Sequence, residues 1–159
     1  MISRAFSRKT DVHFFAARFR LGLCALALAV PAALAAEPGL TVSEPWLRLI
    51  IPSRPAAGYF VLSNQTGQTR TLVGAASPGC GALMLHRSVS DNGQERMEMV
   101  DSVAVPPHGQ VKFAPGGYHL MCMSPTAAAS PGRSVPVTLS FQDGGSLTTS
   151  FAVRGATGE

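Results

Sequence analysis

Ala82-Leu83-Met84-Leu85-His86-Arg87-Ser88 and Arg96-Met97-Glu98-Met99-Val100 stand on either side of Asp91-Asn92-Gly93. Two alternating runs joined by Asn-Gly predict a β-hairpin, because a tight hairpin turn needs residues that tolerate positive φ. The apolar run before Arg87 is too short for a helix and fits a strand. Outward from this hairpin the pattern repeats. Glu44 to Arg48, Gly58 to Asn64, Thr71 to Ala76, Gln110 to Phe113, His119 to Met123, Ser134 to Phe141 and Leu147 to Val153 are short strand-like runs. Between them lie Asn64-Gln65-Thr66-Gly67, Pro106-Pro107-His108-Gly109, Pro115-Gly116-Gly117 and Asp143-Gly144-Gly145. Short strands with such punctuation predict an all-β sandwich or barrel. No long segment carries a helical period, and no internal repeat is visible. One domain of about 120 residues can bury a single two-sheet core.

The N-terminus reads differently. Arg4, Arg8, Lys9, Arg18 and Arg20 form a basic region, Leu21 to Val30 is a short apolar run, and Ala33-Leu34-Ala35 follows as an A-x-A cleavage site. Residues 1–35 are therefore expected to be a secretory signal peptide, with residues 36–159 as the exported domain. The apolar run is about half the roughly 20 residues a membrane-spanning helix needs. A retained N-terminal anchor is the competing reading. Cys24 raises a lipoprotein site, but Leu23 stands where a small residue should precede the cysteine. Cleavage would remove five of the 13 Lys and Arg and one of the nine acids, leaving eight of each. The pI of 9.4 thus belongs mostly to the leader. A nucleic-acid binder should keep a basic stripe after processing, and this domain does not. Cys80 and Cys122 remain. An oxidising compartment permits a disulfide between them, and two small buried hydrophobes are the other reading.

Five of the six methionines (Met84, Met97, Met99, Met121 and Met123) fall within one 40-residue stretch that also holds His86 and His119. Thioether and imidazole suit Cu(I) better than Zn(II), Mg(II) or Ca(II). Strand parity puts His119, Met121 and Met123 on one face, with Leu120 and Cys122 on the other. Met97 and Met99 likewise share a face. The hairpin is expected to bring His86 near Met97, and a third strand to deliver His119 and Met121 together. The turn before Tyr118 is expected to bring His119 out near a rim. Met84, Met99 and Met123 read as packing or as a soft outer layer, and His108 as a surface residue. Methionine in a β protein is ordinarily core filler. The histidines recurring on the same strands are what packing does not call for.

Other chemistries fit poorly. No G-x-S-x-G surrounds a serine, H-E-x-x-H and C-x-x-C are absent, and no phosphate-binding or dinucleotide fingerprint occurs. A blue-copper centre needs a cysteine thiolate beside its histidines. Parity points Cys122 away from His119.

The interval His86-x10-Met97-x21-His119-x-Met121 resembles the H-(M)-x10-M-x21-H-x-M signature of the PCu(A)C family of periplasmic copper chaperones. Glu44-Pro45-Trp46-Leu47-Arg48, Ala57-Gly58-Tyr59-Phe60-Val61-Leu62-Ser63-Asn64, Leu72-Val73-Gly74-Ala75-Ala76-Ser77 and Pro115-Gly116-Gly117-Tyr118-His119-Leu120-Met121 are similar to further family segments. The likeness covers about residues 40 to 153. Arg87 departs from the optional methionine, on the face away from His86. The His/Met-rich C-terminal extension of some relatives is missing, so a second, Cu(II)-type site is not supported.

The resemblance implies a cupredoxin-like antiparallel β-sandwich with Greek-key connections. It implies one Cu(I) held by His86, Met97, His119 and Met121, with Met99 left open as an alternative to Met97. It also implies a non-enzymatic carrier in the periplasm that delivers copper toward the dinuclear centre of cytochrome c oxidase, with a Sco-type thiol protein as a candidate collaborator. A monomer is expected, and an exposed soft site leaves a metal-bridged dimer open. The alternative is a secreted β-sandwich recognition module whose methionines are core packing. A copper enzyme or a thiol oxidoreductase using Cys80 and Cys122 is a third. Two neutral histidines are required for loading, so copper affinity is expected to weaken as pH falls through about 6.5.

Overall fold

The computed structural model describes residues 37–157. The expected signal segment, residues 1–35, and Cys24 lie outside them. The described chain is all-β, with ten strands: β1 Leu40–Arg48, β2 Ala56–Asn64, β3 Arg70–Ala76, β4 Cys80–Asp91, β5 Gln94–Met99, β6 Val103–Val105, β7 Gly109–Phe113, β8 Tyr118–Pro125, β9 Ser134–Phe141 and β10 Ser146–Arg154. Among the described residues, no helix is long and apolar enough to cross a membrane.

All ten strands belong to one sheet in the order β5-β4-β8-β7-β2-β1-β10-β9-β3-β6. The sheet curls until β3 meets β4 at the single pair Ala75 and Leu83. The expected two-layer sandwich is thus one continuous, barrel-like sheet with a weak seam. It is not wholly antiparallel either. β1 pairs with β10 in parallel, as does β7 with β8. These contacts join strands at opposite ends of the chain or across a tight turn, where local alternation carries no directional information.

Period-two patterning builds the core. Val135, Val137, Leu139 and Phe141 alternate inward along β9, and Leu147, Phe151 and Val153 do so along β10. Phe60 stacks on Phe113 at 4.2 Å and meets Phe151 edge-on at 5.5 Å. Burying each such ring stabilises by about 1.5–3 kcal/mol. β1 begins four residues before the expected Glu44, because a bulge between Ser43 and Trp46 absorbs Glu44 at φ 51° and Pro45. Asn64 is one of two buried polar residues among those described, His119 being the other. The Asn64 amide nitrogen donates to the carbonyls of Gln68, Val105 and Pro106, and its oxygen accepts from the amide and hydroxyl of Thr66.

Cys80 and Cys122 form a disulfide with Cα atoms 5.4 Å apart. It ties the start of β4 to β8 from the core side, where both cysteines are buried. Near the first described residues, Glu37 accepts hydrogen bonds from the Ser146 amide at 2.7 Å and from the Arg70 guanidinium at 3.1 Å. Arg70 also pairs with Asp143 at 3.0 Å and lies over the Phe141 ring.

Candidate metal centre

The hairpin forms as its sequence predicts. Asn92 and Gly93 both adopt positive φ, at 51° and 77°, and Asp91 pairs with Gln94. A two-residue turn fixes every later pairing. His86 stands opposite Met99, and Ser88 opposite Met97. The sequence reading placed His86 across from Met97. Counting outward from Asn92-Gly93 gives Met99 directly, with Met97 on the diagonal.

On the other side of β4, His86 pairs with His119, Met84 with Met121 and Ala82 with Met123. Directly opposed residues share a face. His86, His119, Met84, Met97, Met99, Met121 and Met123 therefore all lie on one face of β5-β4-β8, behind which Leu85, Leu120 and Cys122 are buried. Cys122 is on the face opposite His119 and committed to a disulfide, which removes a blue-copper thiolate at this site.

The two imidazoles have ring centroids 5.8 Å apart with planes at 55°. His119 Nδ1 lies 3.1 Å from the Gly117 carbonyl oxygen. A carbonyl only accepts, so Nδ1 carries the proton and Nε2 keeps its lone pair for a metal. His119 was expected near a rim, yet it is only 4% exposed. The bond back to Gly117 folds the ring under the Pro115-Gly116-Gly117 turn. His86 Nδ1 is buried and has no hydrogen-bond partner among the described residues. Burial pushes the His86 imidazole below its ordinary value, and the neighbouring His119 adds to that effect. Both causes favour the neutral ring that a metal requires.

Met97, His119 and Met121 line one surface pocket of about 400 Å³ together with Pro55, Ala57, Tyr59 and Ser88. Burial raises the Tyr59 phenol above its ordinary value, with Arg48 partly opposing, so it stays neutral. It leans on Trp46 at 4.9 Å, which Arg154 covers. Sequence reasoning missed Tyr59 and Ser88 as pocket residues. Their signal was strand parity alone, Tyr59 two residues from Ala57 and Ser88 two from His86. Met97 and Met99 are 60% and 64% exposed. The packing reading fails for Met99, whose side chain is mostly in water. Met84 and Met123 are half-buried, and His108 is exposed as expected. Among the described residues, no group of three His, Cys, Asp or Glu could hold a metal. Any metal here would depend on thioethers, which is the preference of a soft monovalent ion.

An all-β domain that displays two imidazoles and five thioethers on one sheet face is a class defined by its donors. The chain belongs to the PCu(A)C family, and over residues 40–153 it matches the family model described as putative lipoprotein LpqE-like. A putative lipoprotein of Leifsonia xyli subsp. xyli, Lxx21020, is 33% identical over 144 residues, spanning 87% of this chain and 86% of its own length. The uncharacterised protein RP573 of Rickettsia prowazekii is 29% identical over 115 residues, 69% of this chain and 64% of its own. Among solved structures, Cu(I)-bound DR1885 from Deinococcus radiodurans is 30% identical with a TM-score of 0.55, covering 82% of this chain and 83% of that one. The copper-bound PCuAC domain from PmoF2 has a TM-score of 0.63 at 24% identity, covering 77% of this chain and 97% of that one, and shares the fold.

Proposed function

We propose that this protein is an exported, non-enzymatic carrier of Cu(I), with His86, Met97, His119 and Met121 holding one ion. The observation that carries the reading is the convergence of Met97, His119 and Met121 on a single surface pocket, with His86 paired to His119 beside it. The copper-bound state of DR1885 and of the PmoF2 domain supports copper as the cargo. The donor set agrees. Neutral nitrogen and sulfur stabilise Cu(I) without adding charge, and among the described residues His119 Nε2 has no competing hydrogen bond. The exposure of Met97 lets an incoming partner replace the thioethers one at a time.

Delivery toward the dinuclear copper centre of cytochrome c oxidase, with a Sco-type thiol protein as collaborator, is the destination we assign. Residues 36–159 act as one copper-chaperone domain in the periplasm. The lipoprotein description of the relatives supports a place in the cell envelope. The test is an anaerobic Cu(I) titration against a competing chelator. The parent protein should saturate at one copper per chain, and His119→Ala/Met121→Ala should lose most of that affinity. Equal binding by both proteins would return the methionines to packing and favour a recognition module.

A further inference from the structure

We propose that Met84 and Met99, with His86 shared, form a second soft-metal position that a single Cu(I) occupies alternately with the main one. The proposal rests on the carrier reading and extends it. His86 sits at the centre of a row across the sheet, with His119 directly opposite on β8 and Met99 directly opposite on β5. Directly opposed β-carbons are about 4.5–5.5 Å apart, within thioether reach of a shared ion. Met84 lies two residues from His86 on the same strand and face.

The methionines divide between two openings. Met97 and Met121 line the pocket of His119. Met84 and Met99 line a separate groove of about 240 Å³ with Val73, Gly74, Leu83, Leu85, Val100 and Asp101. This groove lies along the seam where β3 and β4 share only the Ala75–Leu83 pair. A β-carbon added to Gly74 would meet nothing within 4 Å, so the groove is open on that side. Packing does not account for Met99, which is 64% exposed. Asp101, an exposed acid, belongs to the same lining.

The step is a ligand exchange without redox change. The bonds from copper to His119, Met97 and Met121 break, bonds to the sulfurs of Met84 and Met99 form, and the bond to His86 persists. Copper stays Cu(I), and no proton moves. His86 is thus the pivot, and the groove is a waiting position through which the ion arrives or departs.

The test uses Ag(I) as a redox-inert soft ion and methyl-labelled methionine observed by NMR. In His119→Ala, which weakens the main site, added Ag(I) should shift the Met84 and Met99 methyl signals. Adding Met84→Leu/Met99→Leu to that variant should cut its residual affinity about tenfold, ~1.4 kcal/mol. Leucine keeps the side-chain volume, so folding is retained. In the parent, the same pair of leucines should slow release of the bound ion to a chelator. Unmoved Met84 and Met99 methyls, or residual affinity indifferent to the leucines, would overturn the proposal and leave the main site standing. Undiminished binding by His119→Ala alone would overturn the carrier reading, and the second position with it.

Discussion

The two ends of β2 treat polar atoms in opposite ways. At Asn64 every side-chain donor and acceptor is used, five hydrogen bonds knitting β2 to the Gln68 and Pro106 turns. Toward Ala57, seven residues away and about 23 Å along the strand, the sheet face is under-bonded. His86 Nδ1 has no partner, His119 makes one bond at a single nitrogen, and Met97 and Met99 stand in water. A buried polar group left unpaired costs about 1–3 kcal/mol. Arg70 Nε is unpaired too, yet its guanidinium is held by Glu37 and Asp143 through Nη2. The unpaired nitrogen of His86 belongs instead to a side chain set beside a second imidazole and across the sheet from Met99.

Substitutions can break this contrast in order of effect. Cys80→Ser/Cys122→Ser opens a loop of sequence separation 42, which should cost about 4 kcal/mol in urea unfolding. The one-copper stoichiometry should persist, because those sulfurs lie behind the donor face. Loss of copper from a still-folded variant would show that the staple also shapes the face. Asn64→Leu should cost about 3 kcal/mol and leave copper affinity unchanged. A drop in affinity would mean the two ends of β2 are coupled. Glu37→Gln keeps an acceptor for Ser146 but removes the charge facing Arg70. It should cost about 1 kcal/mol, shrinking in salt, and salt-independence would argue against an ionic role.

The smallest effect is a pH dependence. Burial lowers the folded-state pKa of His86 below its unfolded value of 6.5. The unfolded chain therefore takes up the proton first as pH falls. The contribution to stability is complete above 6.5 and is lost as pH drops from there through the folded value. Comparing urea midpoints of the parent and His86→Gln between pH 7 and 5 should show a steeper fall in the parent. Parallel slopes would remove His86 from the account. The same lowering moves the His86 part of copper release to pH values below 6.5.

Much of this was legible because alternation is a local signal. Each of the nine expected strands is present, and parity alone grouped His119 with Met121 and Met123, grouped Met97 with Met99, and set Cys122 on the opposite face from His119. β6 was missed because Val103–Val105 is three residues long and abuts Pro106. The start of β1 was hidden by Glu44-Pro45, which reads as a stop but is a bulge. The parallel β1–β10 pairing and the curl that brings β3 to β4 depend on contacts far apart in sequence. The partner of His86 was in reach. A two-residue turn determines register, and counting from it selects Met99.

The clamp on Glu37 also gives the domain a direction. It fixes the incoming chain beside Leu40, which pairs with Asn64 at the end of β2 remote from Met121. Any leash fastened ahead of Glu37, whether to lipid or to another protein, would grip the domain by its heel. The face that bears the histidines and methionines would then swing outward on the full radius of the tether, and its reach would grow with each residue of slack.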